Sequence, residues 1–534
     1  MGAREVLIPL EHSCVSRGLT VKTEAVLILD FGGQYTHLIA RRIRELHVYS
    51  EVVPCDISPF EIENLRDKFE VKGLILSGGP SSIYAEGAPT IHKGLLKLNL
   101  PILGICYGHQ LLATLFGCKV RRGEKQEYGV AIVDILKPIG ILKGLEKQEK
   151  VWMSHGDVVA EASEEVMVTA STPYCPIAAF QHKSKPIYGL QWHPEVTHTV
   201  KGMTMLRNFV FDVCRCRGGW RAENLINECI SEIKNAVRDG KAIIALSGGI
   251  DSGTAAVLAA KALGDRLTAI FVDHGFMRIG EAQSVKEAFK KLGVNVTVVD
   301  AKERFLKAIA GVTDPEEKRR IIGREFIRVF EEEARKVGAQ YLIQGTIYPD
   351  RIESGFRMHS DKIKTHHNVA GLPTEIEFKG IIEPLKDLYK DEVRMMAKEL
   401  GMPDELVWRQ PFPGPGLAVR IVGEVTKKKL EVLRKADKIV SEEVEAAGLN
   451  RTLWQYFAVL TNTRTTGVKG DARTYGLTVA IRIVKSKEAM TAEFARVPYE
   501  LLEKISTRIV NEIPEVNRVV YDITHKPPAT IEWE

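Results

Sequence analysis

Three short stretches hold the side chains with reactive potential. Ser247-Gly248-Gly249-Ile250-Asp251-Ser252 combines a glycine turn with two hydroxyls and a carboxylate. Glycines there let backbone N–H groups approach phosphate oxygens, and a helix starting at that point adds its positive end. The loop lacks the G-x-x-x-x-G-K-[ST] order of a Walker A cradle. Gly104-Ile105-Cys106-Tyr107-Gly108-His109-Gln110 sets a thiol among glycines that permit a sharp turn. A helix N-terminus beside a thiol lowers its pKa and supplies N–H donors, which suits a nucleophile. Trp192-His193-Pro194-Glu195 offers an imidazole as base, with a carboxylate two residues later to orient it.

Each stretch needs a strand to present it. Residues 242–246 are an apolar strand ahead of the glycine loop, and the small residues 253–260 read as the helix after it. Residues 101–105 are a strand ahead of Cys106, with a helix from Tyr107, the geometry of a nucleophile elbow. Residues 186–192 are a strand ahead of His193. Upstream, 25–30 and 73–77 read as buried strands and 37–46 as an amphipathic helix, so the first third is a parallel sheet with helical crossovers. Residues 119–190 are richer in strands, 150–153 among them, and a helix over 203–214 closes the unit before a linker at 215–219.

A second α/β unit begins near Trp220, with strands at 242–246, 267–273, 294–300 and 339–344. That spacing predicts a doubly wound sheet with ligands at the strand C-terminal ends. The Pro/Gly run Gln410–Gly416 cannot be helical and marks a boundary. A long helix over 425–447 and an alternating segment at 477–484 then predict a small α+β domain. The fold class is therefore α/β, with two doubly wound domains and a small α+β domain. The domains divide as a tail at 1–23, then 24–216, 217–409 and 410–534. The tail is assigned no function.

The chain has 534 residues, of which 45 % are hydrophobic and 27 % charged, as in ordinary globular proteins. A net charge of +5 over this length gives no argument for nucleic acid or a membrane as partner. No apolar run reaches the ~18 residues of a membrane span. The eight cysteines form no C-x-x-C pair, which argues against a zinc site and for a reducing, cytoplasmic setting.

These motifs carry a resemblance. S-G-G-x-D-S at 247–252 resembles the PP-loop of the ATP pyrophosphatases, implying that Ser247, Gly248, Gly249, Ile250, Asp251 and Ser252 hold the pyrophosphate of ATP as AMP is transferred. Residues 24–214 resemble a class I glutamine amidotransferase, on Ser77-Gly78-Gly79-Pro80, the Cys106 elbow and His193-Pro194-Glu195. That resemblance implies Cys106 as nucleophile, His193 as base and acid, Glu195 as its orienter, and the Gly79 and Tyr107 N–H groups as oxyanion donors.

From about residue 24 onward the chain resembles the glutamine-hydrolysing GMP synthetase family. The resemblance rests on the order of these motifs with Asp30–Thr36, Tyr348–Asp350, Lys364–Asn368, Glu383–Leu388 and the ending Lys526–Glu534. It implies amination of XMP to GMP through an adenylyl intermediate, with ATP as co-substrate, Mg2+ as cofactor and a homodimer through the C-terminal domain. It implies XMP contacts from Arg319, Lys469, Lys526 and Glu532, although Lys469 stands where many relatives have glutamine. Asp251 is the implied Mg2+ ligand. Asp273 and Asp350 either join it or cap turns. Lys362 and Lys364 are either a lid reaching the ATP phosphates or a solvated loop. Ser154-His155-Gly156-Asp157 is open between an interface, the glutamine pocket and a hydrogen-bonded turn. An NAD synthetase, a tRNA-modifying PP-loop enzyme and a silent sensor fit less well: they want another amidase motif, a basic patch, or missing reactive residues.

Overall fold

The computed structural model describes residues 22–351, 378–486 and 491–534. The lysines Lys362 and Lys364 lie outside the described residues. The chain divides into two compact units, Met1–Arg221 and Ala222–Glu534.

The first unit is built on one sheet. Its strands are β1 Thr23–Asp30, β2 Tyr49–Pro54, β3 Phe69–Leu76, β4 Ile102–Ile105, β5 Lys119–Ile135, β6 Gln148–Glu161, β7 Val166–Ser171, β8 Ala179–His182 and β9 Ile187–Leu190. They run in the order β2-β1-β3-β4-β9-β8-β7-β5-β6. Strands β2, β1, β3, β4 and β9 are parallel, and the rest join antiparallel. The six interior residues of β1 are all buried, as a strand covered on both faces requires. Helices α1 Thr36–Glu45 and α2 Tyr107–Leu115 follow β1 and β4. Leu27, Leu29, Leu74, Leu76, Leu112 and Phe180 belong to one buried core. The helix expected over 203–214 is α-helical only at Gly202–Arg207 and widens to a π-turn at Asn208–Val213.

The second unit carries a parallel sheet of β10 Ala242–Ala245, β11 Leu267–Asp273, β12 Val296–Asp300, β13 Tyr341–Ile343 and β14 Gly380–Ile382, in the order β12-β11-β10-β13-β14. Helix α3 Ile250–Leu263 follows β10, and α4 Pro315–Val337 and α5 Lys390–Glu399 lie further along. Past the Pro/Gly loop come α6 Lys427–Ala446, the long hairpin β15 Gln455–Lys469 and β16 Ala472–Lys485, then β17 Glu493–Phe494, α7 Tyr499–Glu512 and β18 Val516–Tyr521. Strand β18 runs parallel beside β16. One buried core joins Ile243, Ile270 and Phe276 to Leu417, Leu433 and Val479, so both sheets of this unit share an interior.

Candidate active site

In the first unit, sheet order brings the reactive stretches together. Strand β4 lies between β3 and β9, with Gly104 level with both Leu76 and Gly189. The loops leaving these parallel neighbours therefore meet at one sheet edge. Ser77-Gly78-Gly79-Pro80 leaves β3, Cys106 leaves β4, and His193 follows β9.

Cys106 has a φ of +53°, outside the usual range for a side-chain-bearing residue. Such strain persists only where the surroundings hold it. Here the Cys106 N–H donates to the Leu190 carbonyl at 2.8 Å, and the Gly108 N–H to the Ser77 carbonyl at 3.2 Å. The flanking glycines have no room for a side chain. A methyl at Gly104 would sit 2.4 Å from the Gly108 oxygen, and one at Gly108 would sit 2.5 Å from the Leu76 oxygen.

The Cys106 side chain is a hydrogen-bond partner of His193, and its thiol also donates to the Ser154 carbonyl at 3.5 Å. His193 Nδ1 lies 2.6 Å from Glu195 Oε1. Burial works against charging this imidazole, but the Glu195 carboxylate and the hydrogen bonds with Cys106 and Glu195 outweigh it and hold the pKa well above 6.5. Glu195 is 1 % exposed. The His193 carbonyl accepts from the Thr199 hydroxyl at 2.6 Å, which fixes the turn carrying the ring. Gly78 closes over the pair: a methyl there would lie 3.0 Å from the imidazole Cε1 and 3.6 Å from the Cys106 Cβ. A thiol, an imidazole and a carboxylate in line can pass a proton and attack a carbonyl carbon. His109, in the same elbow, is fully buried, and burial lowers its pKa to about 3. Its neutral Nε2–H donates to the Ile177 carbonyl at 3.0 Å.

In the second unit, the glycine loop turns from β10 into α3. Gly248 has a φ of +77°, and Gly249 caps the helix. The loop is braced internally by Ser247 and Ser252, whose hydroxyls are 3.0 Å apart. Arg409 donates to the Gly248 carbonyl at 3.0 Å and to Glu281 at 2.7 Å. Gly345, just past β13, packs so closely that a methyl there would meet the Ser252 nitrogen at 2.7 Å. Asp251 Oδ2 accepts from Lys390 at 2.8 Å, while its buried Oδ1 has no hydrogen-bond partner among the described residues. One unengaged carboxylate oxygen at a phosphate cradle fits Mg2+, which takes few protein ligands and completes its shell with phosphate and water. Asp273 pairs with Lys302 at 3.1 Å and accepts from the Gly275 N–H at 3.1 Å, while Asp350 accepts from the Ile347 N–H at 3.3 Å.

The chain's last residues are pinned rather than loose. Buried Arg482 donates to the carbonyls of Thr524 at 2.6 Å and Thr530 at 3.0 Å. Buried Arg420 grips Glu532 through two bonds of 2.9 and 2.8 Å, and Gln455 adds a third at 3.1 Å. Arg319 and Lys318 both bond to Glu534. Lys526 joins the tail to Ala492 through paired backbone bonds of 2.8 and 3.0 Å. Lys469 donates to the carbonyls of Pro514 and Val516 at 2.9 Å each, so its ammonium closes the turn after α7. Arg420, Arg482, Lys390 and Arg409 had no signal in the sequence, because their partners lie far along the chain, 112 residues for Arg420 with Glu532 and 139 for Lys390 with Asp251.

A thiol–imidazole–carboxylate line in one unit and a phosphate cradle in the other make this a glutamine amidotransferase joined to an ATP-consuming ligase. The sequence matches the families "Glutamine amidotransferase class-I" over residues 27–213, "PP-loop domain" over 222–404 and "GMP synthase C terminal domain" over 442–533. It is 54 % identical to the GMP synthase [glutamine-hydrolyzing] of Geobacillus kaustophilus, over 96 % of this chain and 99 % of that one. It is also 54 % identical to the enzyme of the same name from Caldanaerobacter subterraneus, over 96 % of this chain and all of that one. The chain belongs to the glutamine-hydrolysing GMP synthase family.

Proposed function

We propose that Cys106, His193 and Glu195 release ammonia from glutamine, and that the Ser247–Ser252 loop with Asp251 drives its incorporation into XMP. As a member of its family the chain converts ATP, XMP, glutamine and water into AMP, pyrophosphate, GMP and glutamate. Cys106 attacks the carboxamide carbon and His193 delivers a proton to the leaving ammonia, while Glu195 keeps the ring oriented. The Gly79 and Tyr107 N–H groups stabilise the oxyanion. Water then attacks the glutamyl thioester with His193 as base. In the second unit, loop N–H groups and the α3 N-terminus bind the pyrophosphate of ATP. The XMP C2 oxygen attacks the α-phosphorus, pyrophosphate leaves, and ammonia displaces AMP from C2. Asp251 and ATP phosphates would hold Mg2+, which when bound neutralises charge on the leaving pyrophosphate. Lys390, on the Asp251 carboxylate, adds a cation at the same place.

Arg319, Lys526 and Glu532 are the proposed XMP contacts. Lys469 is a weaker candidate, because its ammonium already serves three carbonyls. Lys362 and Lys364 stay proposed for a lid. Domains at 24–216, 217–409 and 410–534 belong to the same reading, as do a cytoplasmic location and a homodimer through 410–534. Strand β18 supports the last: among the described residues it pairs only with β16, and Val520 and Ile523 nearby are exposed. No helix among the described residues is long and apolar enough to cross a membrane.

The strained Cys106 beside the His193–Glu195 pair is the observation that carries this reading. Cys106→Ala is expected to abolish GMP formation from glutamine and to leave formation from ammonium intact, followed by the absorbance change from XMP to GMP. Equal loss with both nitrogen donors would overturn it.

A further inference from the structure

One cavity of the first unit has no part in the reaction above. It has a volume of about 310 Å³ and is lined from three segments: Leu46 and His47 after α1, Arg207 and Phe211 beyond β9, and Arg217 to Arg221. That size is at the small end of pockets that hold metabolites. All of its lining belongs to Met1–Arg221. Arg217 bonds to Glu24 at the start of β1 and to Glu70 at the start of β3, so the cavity lies at the edge where the parallel strands begin. Cys106 leaves β4 at the opposite edge.

Backbone and ring contacts fix its walls. The turn after α1 holds His47 at a φ of +60°, and the His47 carbonyl accepts from the Trp220 N–H at 2.9 Å. A side-chain-bearing residue in that conformation is uncommon and tends to occur where a ligand is clamped. The Trp220 ring packs on Tyr49 with centroids 4.7 Å apart, and the Arg44 guanidinium lies over both rings. Gly218, at a φ of +82°, faces Phe211: a methyl there would lie 3.5 Å from that ring. The π-turn at Asn208–Val213 sets where Phe211 stands, and such turns are frequent at functional sites.

The charges around the cavity do not balance. Arg217 is matched by Glu24 and Glu70. Glu45, the carboxylate of the lining, is held by Arg42 through bonds of 2.7 and 2.8 Å. Arg207 rests over the Phe211 ring at 5.3 Å, and neither it nor Arg221 has a carboxylate partner among the described residues. Two like charges lining one cavity repel each other, and a doubly charged oxyanion cancels both. The N–H forks of guanidinium groups match phosphate oxygens in particular.

We propose that this cavity binds a phosphate monoester, with Arg207 and Arg221 as its phosphate contacts and Phe211 as the apolar wall for its ester group. A bare phosphate ion leaves much of the volume unfilled, which favours an organic ester. The occupant ties the helix after β9 to the last residue of the first unit.

The probe is ribose 5-phosphate, titrated by calorimetry into the full chain. The chain is first saturated with XMP and with an ATP analogue carrying a methylene between its α- and β-phosphates, so that the synthetase site is filled and cannot turn over. At about pH 8, where a phosphate monoester is doubly charged, one further site per chain is expected. Its Kd should lie below about 1 mM. Arg207→Gln and Arg221→Gln should each weaken it about tenfold or more, the loss of one charge-assisted phosphate contact. Melting temperature without probe, and GMP formation from glutamine, stay at wild-type values in both. Arg238→Gln removes an exposed arginine outside the cavity and should change nothing. Absence of binding in the wild type overturns the proposal. Binding that survives in both cavity variants, or that falls equally in Arg238→Gln, overturns it too. Succinate spreads two charges over separate carboxylates and should bind at least about tenfold more weakly. Succinate binding as tightly as the sugar phosphate overturns the assignment to a phosphate.

Discussion

At the scale of residues, His193 gives the sharpest pH expectation. Its pKa stands well above 6.5, with burial opposing the shift and Glu195 and Cys106 driving it. The folded chain therefore holds this proton more tightly than the unfolded chain. The resulting stabilisation is fully present below about pH 6.5 and is lost as pH rises through the folded-state value. Wild type should melt above His193→Gln by a margin that is steady on the acid side and narrows toward alkaline pH. A margin that widens with rising pH, in thermal melts of the two proteins, would contradict the assignment. The Cys106 elbow and the His193–Glu195 pair were each legible as a short motif, whereas joining two motifs so far apart in the chain rested on the resemblance. Lys390 on Asp251 was not legible, because the pair spans 139 residues and no local pattern encodes it.

At the scale of elements, the strands and helices flanking each motif were legible to within a few residues. Apolar runs covered on both faces and glycine-marked turns leave few other options. The helix after residue 202 departs from its sequence pattern, since hydrophobic spacing does not reveal the wider π-turn at Asn208–Val213. The tail was legible as a motif but not as a structure. Its path is set by two arginines that are wholly buried, Arg420 at the end of the 3-10 helix Gly416–Arg420 and Arg482 on β16. Two substitutions separate binding from anchoring. Lys526→Ala should raise the XMP KM roughly tenfold or more, since a charge-assisted phosphate contact is worth about 2 kcal/mol, with the melting temperature nearly unchanged. Arg420→Met leaves Glu532 without its buried cation, while Asp437 keeps Arg278, and should cost about 3 kcal/mol of stability in denaturant melts. A Lys526→Ala protein that uses XMP normally would remove this lysine from the substrate site.

At the scale of the whole molecule, the two seams suggested by the sequence differ physically. Near residue 221 the chain passes between compact units, and each hydrophobic core lies on one side of it. At 409/410 the Pro/Gly run interrupts the pattern of elements, yet the core beneath it is continuous. Phe276 and Ile322 share it with Leu417, Leu433 and Val479, and the His274 ring stands 3.0 Å from where a Gly416 methyl would be. Punctuation in a sequence marks where regular structure stops, whereas a core closes through residues distant in the chain. Two cuts therefore should behave differently. Fragment 222–534 expressed alone is expected to be folded, with a cooperative melt, and to make GMP from ammonium but not from glutamine. Fragments 222–409 and 410–534 each lose half of a shared interior. Separately, they should expose that apolar surface, bind a hydrophobic dye and aggregate. A cooperative, dye-silent melt for 222–409 alone would show that its share of the core suffices, and the cut at 409/410 would then be a true domain boundary.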